Sequence, residues 1–261
     1  MATNIKSERL GQIIQILRER NGASIKQLAH RLNVTEMTIR RDLESLRINN
    51  IINLVHGAAI YNPDAGNVGS GVTYPAMQEK GIMDNEKSRI GKAAARLVVP
   101  GDVIFVDTGT TTVQLIKYLT TGLPITLACF TMNALSAVQK KNVEHLVFVG
   151  GAYHYNTQMF ESPEAIQMIR KMRATKAFIS AAGIDKKLGL TCVHQYEVST
   201  KQACVETAQQ KILLTDSSKF DTVTPAYFGE LSQIDTIITD DGITPEWQDT
   251  LHSMNIKLII A

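Results

Sequence analysis

The stretch VIFVDTGTTTVQLI, residues 103–116, joins an apolar run to an acidic residue and a turn of small hydroxyl residues. The apolar run predicts a buried strand, and the spacing after the turn predicts an amphipathic helix. A strand that leads through such a turn into a helix N-terminus is a common anion-binding arrangement, because free backbone N–H groups point at the ligand. We therefore expect an α/β fold with a phosphate site at the end of a strand.

The same alternation of apolar runs and amphipathic segments continues to the end of the chain. Strands are predicted at residues 103–106, 125–129, 146–149, 177–180, 212–215, 236–239 and 258–260. Helices are predicted at residues 85–99, 111–119, 133–140, 163–172, 197–209 and 245–254. Alternating strands and helices are typical of a mostly parallel sheet with helices on both faces.

Polar residues and glycines follow five of these strands, and ligands bind at the carboxyl ends of parallel strands. Gly109 would let the backbone approach a phosphate, Asp107 would accept hydrogen bonds from sugar hydroxyls, and lysines would neutralise the phosphate. Helix or turn capping for the aspartates and a solvated position for Lys201 remain alternatives. The predicted effector-binding residues are Asp107, Gly109, Thr110, Thr111, Thr112, Asn133, Gly151, Lys201, Asp216 and Lys219.

The first sixty residues have a different pattern, which predicts three short helices and a β-hairpin. Leu10, Ile13, Ile14 and Leu17 have helical spacing. Ser24 and Gln27 form a plausible capping box for the second helix. The third helix carries Ile39, Leu43 and Leu46 on one side, and residues 51–60 predict a hairpin. Together these elements predict a winged helix-turn-helix.

The outward face of the third helix carries the residue types that contact DNA. Its first turn is the part of a recognition helix that reaches base edges. Arg40 and Arg41 can each form a forked contact with guanine or with a phosphate. An ordinary solvated arginine pair is the alternative. The predicted DNA-binding residues are Thr35, Met37, Thr38, Arg40, Arg41 and His56.

The charge distribution agrees with a nucleic-acid-binding head. The chain of 261 residues has a formal net charge of +2, but residues 1–60 carry +4 and the remainder carries −2. Basic patches are the electrostatic footprint of nucleic-acid binding. The predicted domains are a DNA-binding domain at 1–60, a Pro- and Gly-containing linker at 61–80, and an effector-binding and oligomerisation domain at 81–261.

Several classes of protein are not expected. Apolar runs are short and the N-terminus lacks a signal peptide, which predicts a cytoplasmic protein without a membrane partner. Cys129, Cys192 and Cys204 are far apart and are interpreted as small core residues in a reducing compartment. The six histidines are dispersed, so neither a metal site nor a cofactor is predicted.

Two sets of motifs resemble the DeoR family of bacterial sugar-catabolism repressors. VTEMTIRRDLESL and LVHGAAI resemble the family's winged-helix signature, although Ala58 replaces a usual Gly and Asn53 replaces a common basic residue. VDTGTTT, FISAAGI, GLTC and DSSKF resemble blocks of its sugar-binding domain. The resemblance covers nearly the whole chain and implies an effector domain similar in fold to ribose-5-phosphate isomerase.

The family resemblance implies a repressor that leaves double-stranded operator DNA when a phosphorylated sugar binds. GGAYHYNTQMF and ISAAGI most resemble the deoxyribonucleoside branch of the family, so deoxyribose-5-phosphate is the first effector to test. A small reading head makes few base contacts, so a homo-oligomer is expected. Two alternatives remain, an active phosphosugar isomerase with a DNA-binding appendage and an activator of transcription.

Overall fold

The computed structural model describes residues 9–17, 22–48, 52–55, 58–61 and 83–261. The chain divides into two compact units, Met1–Val72 and Thr73–Ala261. The predicted linker falls almost entirely on residues 62–82, which lie outside the described ones. The domain boundaries at residues 60 and 80 therefore stay predictions.

The first unit is a winged helix-turn-helix, as the sequence predicts. Its elements are helix α1 (9–17), strand β1 (Ala23–Ser24), helices α2 (Ile25–Arg31) and α3 (Glu36–Ile48), and strands β2 (Ile52–Val55) and β3 (Ala58–Tyr61). The strands form an antiparallel sheet in the order β1-β3-β2. The turn residues His56 and Gly57 of the predicted wing lie outside the described residues.

Capping and an apolar core explain why these short helices form. The Ser24 hydroxyl accepts from Gln27 N at the start of α2, and the Gln27 side chain accepts from Ser24 N, which confirms the predicted capping box. Thr35 accepts from Thr38 N and caps α3. The inward residues Ile39 and Leu43 are fully buried in the common core of the unit.

The second unit is an α/β domain whose strands and helices mostly follow the predicted positions. Its helices are α4 (Asp84–Ala95), α5 (Thr110–Tyr118), α6 (Met132–Val138), α7 (Pro163–Lys171), α8 (Gln195–Thr207) and α9 (Pro245–Ser253). Its strands are β4 (Val103–Val106), β5 (Thr126–Cys129), β6 (His145–Phe148), β7 (Ala152–His154), β8 (Met159–Glu161), β9 (Ala174–Ile179), β10 (Gly183–Asp185), β11 (Gly189–Cys192), β12 (Ala208–Leu214), β13 (Ala226–Gly229), β14 (Thr236–Thr239) and β15 (Lys257–Ile260).

Seven strands form a parallel sheet in the order β15-β14-β12-β9-β4-β5-β6. The chain builds β4, β5 and β6 outward in one direction and then returns to place β9 on the other side of β4. The point where the strand order reverses lies between β4 and β9. Ligands of doubly wound sheets bind in the crevice at this point, at the carboxyl ends of the strands. We call it the switch-point crevice.

Two helical layers cover the sheet. Residues of α4, α5 and α6 share one apolar core with Ile104 and Val106, while α7, α8 and α9 share the other with Phe105. Alternate residues of β4 thus point to opposite layers, as the period of a strand requires. The crevice therefore opens between α5 on one face and α8 on the other.

Three features were not predicted. The hairpin β7–β8 and the antiparallel sheet β10-β11-β13 consist of strands of three or four residues, too short for a clear period. Helix α4 ends at Ala95 rather than before Pro100, and Met83 in a left-handed conformation precedes it. The sequence also predicts Asp84 or Asn85 as the cap of this helix, which is wrong because both residues lie inside it.

Candidate functional site

Asp107 forms the floor of the switch-point crevice. It follows β4 directly and has no solvent exposure. Its Oδ2 accepts from the backbone N–H of Ser180 at 2.9 Å, and Ser180 is the first residue after β9. The carboxylate therefore joins the ends of the two strands that flank the reversal of strand order. Burial of a charged group requires such partners.

Lys201 of α8 supplies the counter-charge for Asp107. Its Nζ donates to Asp107 Oδ2 at 2.5 Å and to the carbonyl oxygen of Ser180 at 2.9 Å, and the ring of Phe228 lies 5.2 Å from it. Burial alone would lower the pKa of Lys201, but the carboxylates of Asp107 and Glu197 outweigh this effect and raise it. This placement argues against the direct phosphate contact predicted for Lys201.

Thr108 and Glu197 extend the network from the floor to the start of α8. The Thr108 hydroxyl donates to Glu197 Oε2 at 3.0 Å, and it lies 3.3 Å from Asp107 Oδ1. Glu197 also accepts from the backbone N–H of His194 at 3.3 Å. This bond belongs to a capping box in which His194 is the N-cap of α8 and Glu197 is the third residue of the helix. The acidic and basic side chains that acid–base catalysis would require thus do converge in this structure.

The N-terminus of α5 forms one side of the crevice. Gly109 precedes the helix with φ of 131°, a conformation that disfavours side chains, and a Cβ there would lie 2.9 Å from Ser180 Oγ. No side chain in the described part of the chain caps this helix end. The backbone N–H groups of the first turn, residues 110–112, therefore have no intrahelical acceptor.

The threonines of the anion loop, residues 107–112, have different roles. The Thr112 hydroxyl donates to the carbonyl oxygens of Asp107 and Gly109, at 2.8 and 3.0 Å, and holds the loop in shape. Thr111 is nearly buried, whereas Thr110 is half-buried at the first helical position. Thr110 is thus the hydroxyl of this turn with the most access to solvent.

The other predicted effector residues lie in the connections after three further strands of the sheet. Asn133 accepts from Ala134 N at the start of α6, and Asp216 accepts from Ser218 N after β12. Gly151 has a left-handed conformation and packs against the backbone of Glu161. Lys219 is half-buried in the short 3₁₀ turn after β12. All four follow the carboxyl ends of parallel strands, so they lie along one edge of the sheet.

Ser180 is a site residue that is absent from the set predicted from the sequence. Its backbone N–H donates to the Asp107 carboxylate, and its hydroxyl donates to the Thr108 carbonyl oxygen. A signal was available, because a small polar residue ends the predicted strand at 177–180. The neighbouring strand that makes this residue important was not known from the sequence.

The DNA-binding residues predicted on α3 lie on its solvent side. Met37 is 62% exposed, and Arg40 and Arg41 are exposed as well. The hydroxyls of Thr35 and Thr38 lie 2.9 Å apart, and the Thr35 hydroxyl caps the helix by accepting from Thr38 N. These positions leave the long side chains of the first turns available to a ligand.

An ion pair joins helix α3 to helix α1. Arg9 Nε donates to Asp42 Oδ2 at 2.6 Å, and Asp42 is 2% exposed. The hydrogen bond to Asp42 raises the pKa of Arg9. Asp42, which follows the arginine pair in sequence, thus anchors α3 to α1 while the arginines face outward.

The three cysteines are buried and form no disulfide, as expected of core residues. Burial raises the pKa of Cys129 and of Cys192 to about 12, so neither thiol ionises near neutral pH. Among the described residues, no helix is long and apolar enough to cross a membrane. Within those same residues, no cluster of three or more histidines, cysteines or carboxylates is placed to hold a metal.

Comparison with protein families assigns both units. A family model for the DeoR-like helix-turn-helix domain matches residues 9–64, and one for the DeoR C-terminal sensor domain matches residues 83–241. Together they define a DNA-binding transcriptional regulator with a sensor domain. The chain belongs to the DeoR family, which confirms the resemblance found in the sequence.

Individual relatives cover nearly the whole chain. The deoxyribose operon repressor of Escherichia coli (strain K12) is 31% identical over 97% of this chain and 98% of its own. The lactose phosphotransferase system repressor of Lactococcus lactis subsp. lactis is 30% identical over 92% and 93%. Ribose 5-phosphate isomerase A of Methanocaldococcus jannaschii is a structural neighbour, with 18% identity, a TM-score of 0.39, and coverage of 53% of this chain and 55% of its own.

Proposed function

We propose that this regulator represses a sugar or nucleoside catabolic operon and leaves its operator when a phosphorylated sugar binds the switch-point crevice. The observation that carries the proposal is the start of α5. Its N–H groups have no side-chain cap, and Gly109 lets the backbone come close to Ser180 without a Cβ in the way. An uncapped helix N-terminus beside a glycine favours a phosphate, since the helix dipole and the N–H groups attract negative charge.

The names of the relatives support a sugar-linked signal. Two of them are repressors of a deoxyribose operon and of a lactose phosphotransferase system. Deoxyribose-5-phosphate is therefore the first effector to test, as the sequence motifs also suggest. Thr110 and the backbone of residues 109–112 would hold the phosphate, and Lys219 would approach it from the loop after β12.

Lys201 and Asp107 have a positioning role in this proposal. Because their charges neutralise each other below the anion loop, they fix the end of β4 against the end of β9. The ligand would lie above the pair, between α5 and the first turn of α8. The sugar hydroxyls would then meet Thr108 and the loops after β5 and β6.

A thermal-shift panel of free and phosphorylated sugars tests effector binding. Phosphorylated sugars should raise the melting temperature, and free sugars should do so much less. Thr110→Asp places a carboxylate at the anion site, where helix stability tolerates it, and should abolish the shift. Thr120→Asp makes the same charge change at an exposed residue outside the crevice and should leave the shift intact. An equal response to free sugars would contradict the phosphate site.

Release from DNA is the second part of the proposal. The effector must bind the state with low DNA affinity more tightly, and operator DNA must then weaken effector binding by the same factor. A titration of operator DNA at fixed salt, with and without the effector, measures this coupling. In vitro transcription from the same promoter distinguishes repression from activation.

An active phosphosugar isomerase is the second candidate, because Asp107, Glu197 and Lys201 converge at one site. In the described structure, however, the Asp107 and Glu197 carboxylates accept hydrogen bonds from neighbouring groups, and Lys201 Nζ is bonded to Asp107 and Ser180. This arrangement favours binding without proton transfer. NMR of incubated pentose and hexose phosphates tests turnover, and product formation lost in Lys201→Met would support the enzyme.

The remaining parts of the proposal concern assembly and location. A homo-oligomer would supply several reading heads, and light scattering of the purified protein measures its mass in solution. A regulator that binds operator DNA acts in the compartment of the chromosome, which in bacteria is the cytoplasm.

A further inference from the structure

The hairpin β7–β8 is fixed by its second strand to the loop after β5. The backbone N–H of Met132 donates to Gln158 O, and that of Phe160 donates to Phe130 O, both at 2.8 Å. Met159 lies between these bonds and is fully buried. The β8 side of the hairpin is therefore hydrogen-bonded to the carboxyl edge of the sheet.

The tip of the hairpin is fixed to the first turn of α8 through Tyr196. The rings of His154 and Tyr196 are stacked, with centroids 3.7 Å apart and an interplanar angle of 6°. The Thr157 and Tyr196 hydroxyls lie 3.3 Å apart. The ring of His194 is also parallel to Tyr196, with its centroid at 4.9 Å. Tyr196 thus joins the hairpin to the segment that begins α8.

This segment is also bonded to the anion loop. The residue after Tyr196 is Glu197, which accepts from the Thr108 hydroxyl and from His194 N. The hairpin, the start of α8 and the loop after β4 therefore form one continuous set of contacts around the switch-point crevice.

The position of the hairpin in the fold determines which side of the crevice it borders. Met159 belongs to the core on the α8 face of the sheet, whereas α5 packs on the opposite face. A phosphate bound at the start of α5 would direct the rest of the sugar away from that helix, toward the α8 face. The hairpin tip, residues 154–158, includes half-buried polar side chains at Asn156 and Thr157.

We propose that Tyr196 is a positioning residue that holds the hairpin tip as the wall of the effector site, and that this wall discriminates phosphorylated sugars by their length. The inference rests on the proposed binding of a phosphorylated sugar. Because the phosphate end is held by α5 and the far end meets the tip, loosening the tip changes the preference between pentose and hexose phosphates. It leaves the affinity for inorganic phosphate unchanged.

Calorimetric titration of the full chain tests this division of roles with three probes, inorganic phosphate, deoxyribose-5-phosphate and glucose-6-phosphate. In Tyr196→Ala the ratio of the two sugar-phosphate dissociation constants should move toward one by about tenfold, the size of an aromatic stacking contact. Tyr196→Phe keeps the stack and should retain most of the ratio. His154→Ala removes the stack from the hairpin side and should act like Tyr196→Ala without altering α8. Tyr227→Ala, on β13, is the matched aromatic control and should leave the ratio unchanged.

The outcomes separate this inference from the proposed function. The proposed wall is supported if the ratio of the two sugar-phosphate dissociation constants changes in both Tyr196→Ala and His154→Ala while the affinity for inorganic phosphate stays the same. The wall is ruled out, even if sugar phosphates bind, by any of three results. These are an unchanged ratio of the two dissociation constants in the stack variants, a wild-type protein that binds both sugar phosphates equally, and an equal loss of affinity for all three probes. If no sugar phosphate binds the wild-type protein, the proposed function itself fails.

Discussion

The Nζ of Lys201 lies 2.5 Å from Oδ2 of Asp107, and both side chains are almost completely buried. Removing one partner of a buried ion pair leaves an uncompensated charge, so Lys201→Met should destabilise the domain by about 3–5 kcal/mol. Urea unfolding at neutral pH measures the loss. The double variant Lys201→Met, Asp107→Asn removes both charges and should recover much of that stability. Equal stability of wild type and Lys201→Met would show that the pair has no structural role.

The conformation of Gly109 predicts a selective loss of effector binding. In Gly109→Ala, the left-handed backbone is disfavoured and the new Cβ meets Ser180 Oγ at 2.9 Å, so the anion loop must shift. Gly101→Ala is the matched control, since Gly101 also has positive φ, at 85°, but its Cβ would meet nothing within 4 Å. Both variants should lose about 1 kcal/mol of stability from backbone strain. Only Gly109→Ala should lose the thermal shift with sugar phosphates, and a similar loss in Gly101→Ala would contradict the argument.

The arginine pair of α3 predicts how DNA binding responds to truncation. Arg40→Ala or Arg41→Ala should weaken operator binding by about 1–3 kcal/mol if the side chain reads a base, and should relax the preference for operator sequence. If it contacts a phosphate, binding should weaken on every sequence, with a smaller salt dependence. Gel-shift titrations at several salt concentrations distinguish these cases. Full affinity in both variants would exclude α3 as the recognition helix.

We expect the side chain of Met37 to make an apolar contact in the major groove of the operator. It is 62% exposed on the first turn of α3, where an apolar side chain can contact the methyl group of thymine. Operator DNA selected in vitro should lose affinity when deoxyuridine replaces thymidine at one position, by a few-fold. The same substitution should have no effect on Met37→Ala, because the contacting side chain is absent. A methyl effect that persists in this variant would assign the contact to another residue.

We expect the ionised carboxylate of Asp102 to account for part of the stability that the second unit loses at low pH. It is nearly buried and accepts from Lys176 Nζ at 2.6 Å and from Val99 N at 2.8 Å. Burial alone would raise the pKa of Asp102, but these hydrogen bonds and the ammonium lower it. Its contribution to stability is therefore present above the unfolded pKa of about 3.9 and is lost as pH falls toward the folded value.

The comparison of Asp102→Asn with wild type tests this contribution by thermal unfolding as a function of pH. The variant should be less stable than wild type at pH 7, and the difference should shrink as the pH falls below about 4. Asp249→Asn removes an exposed carboxylate from α9 and should follow the wild-type curve. A constant difference at all pH values would show that the stabilising effect is not that of the ionised carboxylate.

The parallel sheet could be predicted because each of its strands contains a run of apolar residues. Val103–Val106 and Thr236–Thr239 have the predicted bounds, and the other five strands are offset by a few residues. Continuous apolar runs are typical of strands buried on both faces. The hairpin β7–β8 has no such signal, because its stability comes from Met159 and from backbone bonds to another loop.

The role of Lys201 could not be predicted from the sequence, because its partner is 94 residues away. A lysine on an amphipathic helix has the same local pattern whether it faces solvent or a buried carboxylate. The sequence does predict that the residues after the strands lie along one edge, because the carboxyl ends of parallel strands meet at the same edge of the sheet. Which of them contact each other depends on the strand order, and β9 beside β4 brings Ser180 to Asp107.

The local hydrogen bonds of Asn133 and Asp216 have a consequence for redesign of this regulator. Asn133 and Asp216 are hydrogen-bonded within their own loops, and the tip of the β7–β8 hairpin contacts α8 through the stacked rings of His154 and Tyr196. Residues of these loops can therefore be exchanged without disturbing the two apolar layers. Under the proposal that the hairpin tip is the wall of the effector site, a library limited to residues 154–158 should alter which metabolite the protein reports while the promoter it controls stays the same. Such a library is a direct route to a biosensor with a chosen input.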